Sequence, residues 1–259
     1  MKQYLYALLS VFVFVACSNQ NQSNEWVSLF NGESLDGWTP KFSGFESGDN
    51  YKNTFRVSNG ILDVNFDEWD KFEGKFGHLI TDVPFSHYKL RVEYRFVGEQ
   101  VSGGPDWAFR NNGLMLHSQP ATAMGLNQDF PTSIEVQLLG SYEDFQRTNL
   151  NICTPGTLVD IDGETIPGHC FNSESPAVSG DEWVIVELEV YADSLVRHIS
   201  NGEVVLEYTN LRLSPDSDDY ERLLSTENGV KLGKGHIAIQ AESHPTQFRR
   251  IELLDLSGK

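Results

Sequence analysis

Basic residues are scarce in this chain. Nineteen lysines and arginines stand against 37 aspartates and glutamates in 259 residues, a formal charge of −18 at pH 7. So acidic a balance excludes binding along a nucleic-acid backbone, which needs a clustered basic surface. Cysteine is scarcer still, with three in all. No zinc-ligand spacing, HExxH, GxSxG elbow or nucleotide-binding glycine loop occurs, which removes those chemistries as first readings. No internal repeat is found, and no segment carries sustained helical periodicity. What remains is enough for a core: 39% hydrophobic and 12% aromatic residues exclude global disorder. The length suits one large β domain or two small ones.

The N-terminus stands apart. Lys2 is followed by the apolar run Tyr4–Ala16, interrupted only by Ser10. Such a run is too short to span a bilayer and fits a secretory h-region. It ends Phe14-Val15-Ala16-Cys17, followed by polar residues, and so resembles a bacterial lipoprotein signal. Residues 1–16 are then a signal peptide, Cys17 the lipidated residue and 17–25 a tether. The chain would be exported and held at a membrane by its lipid, in the periplasm or at the outer membrane or cell surface.

Beyond the tether, short strands recur between Gly and Asn turns. Asn31-Gly32, Asn59-Gly60 and Asn201-Gly202 read as the turns of three β-hairpins, the first following a short strand Val27–Phe30. Thr39–Asn53 reads as loop. Tyr88–Val97 alternates Tyr88, Leu90, Val92, Tyr94 and Phe96 against Lys89, Arg91, Glu93 and Arg95; Trp183–Tyr191 does the same. A short helix is expected around Asp219–Leu224. The pattern predicts an all-β sandwich in a single domain, residues 26–257.

The stretch Asn111–Gly140 organises that domain. It reads as two strands, Gly113–His117 and Ser133–Leu139, joined by a polar loop. Side chains alternate faces along a strand, so Ile134, Val136 and Leu138 face the core. Glu135 and Gln137 then share the opposite face, where Met115 and His117 are expected beside them. A carboxylate and an amide in mid-strand suit either a solvated sheet face or a ligand cleft.

The closing strands repeat the pattern. Ile237, Ile239 and Ala241 alternate with Gln240 and Glu242, His244 follows in the turn, and Arg249 is near. Glu242 and Arg249 form either part of a site or a surface pair. Glu135, His117, Glu242 and His244 are the candidate catalytic residues, since general acid–base chemistry on a sugar needs paired carboxyls or an imidazole. Gln137, Gln240, Arg249, Arg110, Trp107 and His169 are the candidate substrate contacts. A His/Glu/Gln cluster also has the chemistry to hold a divalent metal ion, although no ligand spacing demands one.

Between them lies a long excursion, Ser141–Ser179, holding Cys153, His169 and Cys170. Export places the two cysteines in an oxidising compartment, which favours a disulfide over metal ligation.

Four motifs carry a family resemblance: Trp26–Trp38 (WVSLFNGESLDGW), the Thr132–Gly140 strand (TSIEVQLLG), the Arg197–Tyr208 hairpin (RHISNGEVVLEY) and the closing Gly235–Leu256 segment. In this order they resemble the 3-keto-disaccharide hydrolase domain family, from about Trp26 to Leu256. The closing motif departs from the family's FRNI at Arg250. The resemblance implies a concanavalin A-like jelly-roll sandwich of antiparallel sheets. It implies an exported enzyme that cleaves oligosaccharides or glycosides oxidised at C3, by acid–base hydrolysis or by elimination across C1–C2. The rival reading is a carbohydrate-binding module without catalysis, using aromatic platforms such as Trp38, Trp69 and Trp107.

Overall fold

The computed structural model describes residues 25–142, 145–225 and 229–258. Residues 1–24, with the expected signal peptide, tether and lipidated Cys17, lie outside the described residues.

Two large sheets form the fold. One, here called the site sheet, runs in the order Cys170–Phe171, Asn151–Cys153, Ile134–Ser141, Asn111–Ser118, His236–Ala241, Gly77–Thr81 and Trp38–Phe42. The other, the outer sheet, centres on Val184–Tyr191, His87–Phe96 and Thr246–Asp255. Pairing is antiparallel except where Val178–Ser179 runs parallel to Gly140–Ser141. The chain is an all-β jelly-roll sandwich; the expected helix is a single turn, Tyr220–Leu224.

The hydrophobic pattern pins the register. Leu114, Leu116, Ile134, Val136, Leu138, Ile237 and Ile239 meet Leu90, Val92, Leu188, Ile251 and Leu253 in one core. Each such side chain contributes about 1.5–3 kcal/mol when fully buried. A one-residue slip of Ile134–Ser141 would push Glu135 and Gln137 into that core and expose the aliphatics. Asn59-Gly60 and Asn201-Gly202 turn their hairpins with both residues at positive φ, as a two-residue turn matched to strand twist requires. Phe66, Trp69 and Phe72 are buried in the core cluster, so they anchor a loop.

Two local expectations change. Residues 39–42 belong to the edge strand Trp38–Phe42, not to a loop. Near the start, only Val27–Ser28 pairs as strand; Asn31 accepts hydrogen bonds from the Glu33 and Ser34 amides instead of turning a hairpin.

Candidate active site

The face of the site sheet turned away from the core carries the site. Strand pairing sets its side chains in rows. Gln137 opposes Gly113, Gln240 opposes His78, and His78 opposes Lys41. One residue row away, Glu135 opposes Met115, which opposes Ala238. Met115, Ala238 and Ile80 form a small apolar patch there, and burial desolvates the carboxylate on the same face.

Gly113 is what lets the strands' polar side chains meet. A Cβ at this position would overlap Gln240 Oε1 and lie 2.8 Å from Glu135 Oε1. The glycine is used for close approach, not for an unusual φ. Asn112 fixes the neighbouring backbone: its Nδ2 donates to the Gln240 carbonyl at 2.8 Å.

Glu135 and Glu242 line one cavity of about 380 Å³ with Trp107, Asn111, Phe130 and Gln137. Both carboxyls are buried. Burial pushes Glu135 up to about 7, against the pull of the adjoining Gln240 amide. Burial and then the charge of Glu135 hold Glu242 well above the usual carboxylate range. Two acids sharing a desolvated site cannot both ionise cheaply. The pair therefore ionises in sequence, Glu135 first and Glu242 against the charge of Glu135. Gln240 Oε1 and Nε2, Asn111 Oδ1 and Glu242 Oε2 are buried without a well-formed hydrogen bond. Buried polar atoms are normally paired, so this concentration on one face leaves hydrogen-bonding capacity directed at the cavity.

An aromatic wall borders the carboxyls. Trp107, 53% exposed, stacks on Phe76 at 5.8 Å. Phe76 lies 4.9 Å from Phe130, whose ring meets His78 edge-on. His78 is fully buried with both ring nitrogens unpartnered, and burial holds it at about 3, hence neutral. Lys41, also buried, gives its Nζ to the carbonyls of Phe42 and Leu126.

The structure separates several residues that the sequence grouped. His117 does not stand beside Glu135. A register irregularity opposite His236–Ala238 and a left-handed His117 (φ 50°) break the alternation. His117 lines a different cavity, with Pro84, Leu213 and Leu232. His244 is likewise diverted. Ser243 takes φ 103°, a strained conformation for a non-glycine. Glu242 then stays on the site face while His244 packs edge-on against Phe96 and Phe109. Arg249 is on the outer sheet, paired with Glu93 and stacked over Trp183. Arg110 pairs with Asp181 and the Gly180 carbonyl. Neither arginine reaches the cavity lining.

Gln137, Trp107 and His169 do line the cavity. Cys153 and Cys170 are disulfide-bonded and form one edge of it. Cys153, His169 and Cys170 are the one His/Cys/Asp/Glu trio among the described residues with ligand atoms within 4.8 Å of each other. The bridge consumes both thiols, so this trio does not fit a metal centre. His78, Gly113, Asn111 and Phe130 escaped sequence reasoning. Only the cross-strand register brings them to Glu135; a period-2 pattern within Gly77–Thr81 cannot show it.

A jelly-roll sandwich with desolvated carboxyls and an exposed indole on one sheet face defines a carbohydrate-active domain. The chain belongs to the 3-keto-alpha-glucoside-1,2-lyase-like domain family, matched over residues 25–254. Its fold is similar to that of a candidate glycosyl hydrolase from Parabacteroides distasonis: TM-score 0.51, 20% identity, covering 89% of this chain and 94% of that one. A galectin-like protein of unknown function from Bacillus subtilis gives 0.49 at 12% identity, covering 89% and 94%. The Bacillus licheniformis β-glucanase gives 0.48 at 9% identity, covering 91% and 100%. A comparison with curated proteins gives no match.

Proposed function

We propose that the protein cleaves 3-keto-glycosides by elimination across C1–C2, with Glu135 and Glu242 as its base and acid. The observation that carries this reading is the pair of buried carboxyls that line one sugar-sized cavity. The C3 ketone acidifies the C2 hydrogen. Ionised Glu135 takes that proton, and the C–H electrons move towards the ketone as an enolate. Collapse of the enolate forms the C1=C2 bond, restores the C3 carbonyl and breaks the C1–O bond. Glu242 gives its proton to the departing oxygen. The pair ends with its proton on the other carboxyl and resets through exchange with water.

The Gln240 side-chain amide, beside Glu135, is the donor suited to the developing enolate oxygen. Trp107 offers a stacking face for the sugar ring. A binding module would share the aromatic platform but has no use for two desolvated carboxyls, which destabilise the fold when charged.

The reaction type is tested by following a 3-keto-glucoside in D2O by NMR. Elimination predicts a C1=C2 unsaturated 3-keto sugar as the first product. Direct formation of 3-keto-glucose, with the C2 hydrogen retained, would mean hydrolysis. We further propose that the enzyme works outside the cytoplasm, anchored through lipidated Cys17. Labelled palmitate should enter the wild type and not Cys17→Ser; equal labelling of both would refute the anchor.

A further inference from the structure

The carboxyl cavity is not an isolated hole. Towards the start of Ile134–Ser141 it shares Phe130, Pro155 and His169 with a second cavity of about 690 Å³. Towards the end of the same strand it shares Gln137 with a third, of about 670 Å³. The three spaces follow one stretch of chain, from Thr132 just before the strand, in the second cavity, to Leu139 in the third. Seven residue steps at roughly 3.3 Å span about 23 Å. That is much longer than one sugar ring needs, and Glu135 stands near the middle.

The two wings differ chemically from the centre. The centre has aromatic and apolar walls around its carboxyls. The third cavity is lined by amides and hydroxyls, including Gln146, Thr148, Asn151 and Asn172. The second adds Thr154, Ser217 and the acceptors Asp216 and Asp218. Amides, hydroxyls and carboxylates are the groups that hydrogen-bond to sugar hydroxyls. The third cavity balances Arg147 against Glu174, while the aspartates of the second, on a chain of charge −18, repel anionic glycans.

Resting on the lyase reading above, we infer that the substrate is a neutral oligosaccharide whose oxidised unit is internal. That unit sits over Glu135 and Glu242. One neighbouring sugar occupies each wing, the leaving group on one side and a substituent of the oxidised ring on the other.

The test compares two substrates. One is nitrophenyl 3-keto-glucoside, whose aryl leaving group brings no sugar hydroxyls to its wing and which leaves the other wing empty. The other is a trisaccharide whose central glucose is the 3-keto unit, made with the outer sugar on O4 or on O6. One of the trisaccharides should exceed the nitrophenyl glycoside by about tenfold in kcat/KM, through a lower KM; tenfold corresponds to ~1.4 kcal/mol. The exposed pairs Gln146→Ala/Asn172→Ala and Asp216→Asn/Asp218→Asn should each cut the trisaccharide-to-nitrophenyl ratio of kcat/KM by about tenfold. Turnover of the nitrophenyl glycoside with neither trisaccharide preferred, or a ratio indifferent to both variants, would overturn the extended groove while leaving the lyase reading intact. No turnover of any of these would instead overturn the lyase reading, and this inference with it.

Discussion

At the scale of single residues, the site depends on side chains that the core cannot use. Glu135 was legible as odd because it interrupts Ile134, Val136 and Leu138. Its partner was legible only in part: Gln240 and Glu242 share a face in any strand reading, but the pairing that brings them to Glu135 passes through Gly113. That glycine looks neutral in sequence, yet a Cβ there would overlap the Gln240 amide and press on Glu135. Gly113→Ala should therefore spare the fold and the core while lowering kcat/KM on a 3-keto-glucoside by at least tenfold. Circular dichroism and steady-state kinetics check this; wild-type kinetics would show that the packing around Gly113 is irrelevant to the chemistry. His117 and His244 illustrate the opposite failure. Alternation assigns both to the site, and one non-glycine residue of positive φ undoes each assignment: His117 itself, and Ser243 before His244. Backbone conformation of that kind has no signature in hydrophobic pattern.

At the scale of elements, the strands were readable and their order was not. Val184–Tyr191 and His87–Phe96 alternate clearly, and the structure pairs Val184–Tyr191 along its full length with residues 87–94. The non-neighbouring pairing of His236–Ala241 between Gly77–Thr81 and Asn111–Ser118 is a long-range consequence of closing the sandwich. The Cys153–Cys170 bridge belongs here as well. It joins the short strands Asn151–Cys153 and Cys170–Phe171 at an antiparallel pair, 17 residues apart. It also supports the rim that carries His169. In the chain-entropy view such a loop contributes ~3 kcal/mol. Replacing both cysteines by serine should lower the thermal midpoint by several degrees and raise KM more than it lowers kcat, because the rim is loosened while the carboxyls stay. An unchanged midpoint in calorimetry would mean the bridge adds no stability.

At the scale of the whole molecule, buried titratable groups shape the dependence on pH. His78 is held at about 3, and His117, His198 and His244 at about 4, all by burial. Their depressed values contribute stability that is complete above the unfolded histidine value, about 6.5, and lost as pH falls towards the folded values. Glu135 and Glu242 act in the opposite sense. Their raised values favour the fold below the ordinary glutamate range, and that contribution is lost as pH climbs through about 7 for Glu135 and higher for Glu242. Near pH 5.5 the four histidines outnumber the two carboxyls, so the unfolded chain binds more protons and acid destabilises. Above neutrality only the carboxyls still act, so alkali destabilises too. Thermal midpoints should therefore peak close to neutrality. Glu135→Gln should be more stable than wild type at pH 8, by up to ~3 kcal/mol, and lose that advantage near pH 4. A variant no more stable than wild type at pH 8 would mean that Glu135 is not desolvated.

That variant also tests whether Glu135 is the base in a paired-carboxyl site. The direct measurement is kcat of wild type and Glu135→Gln on one 3-keto-glucoside at neutral pH, with the fold of both verified. Loss of the base predicts a fall in kcat of at least ~10²-fold, with KM changed little. Turnover equal to wild type in the folded variant would remove Glu135 from the chemistry.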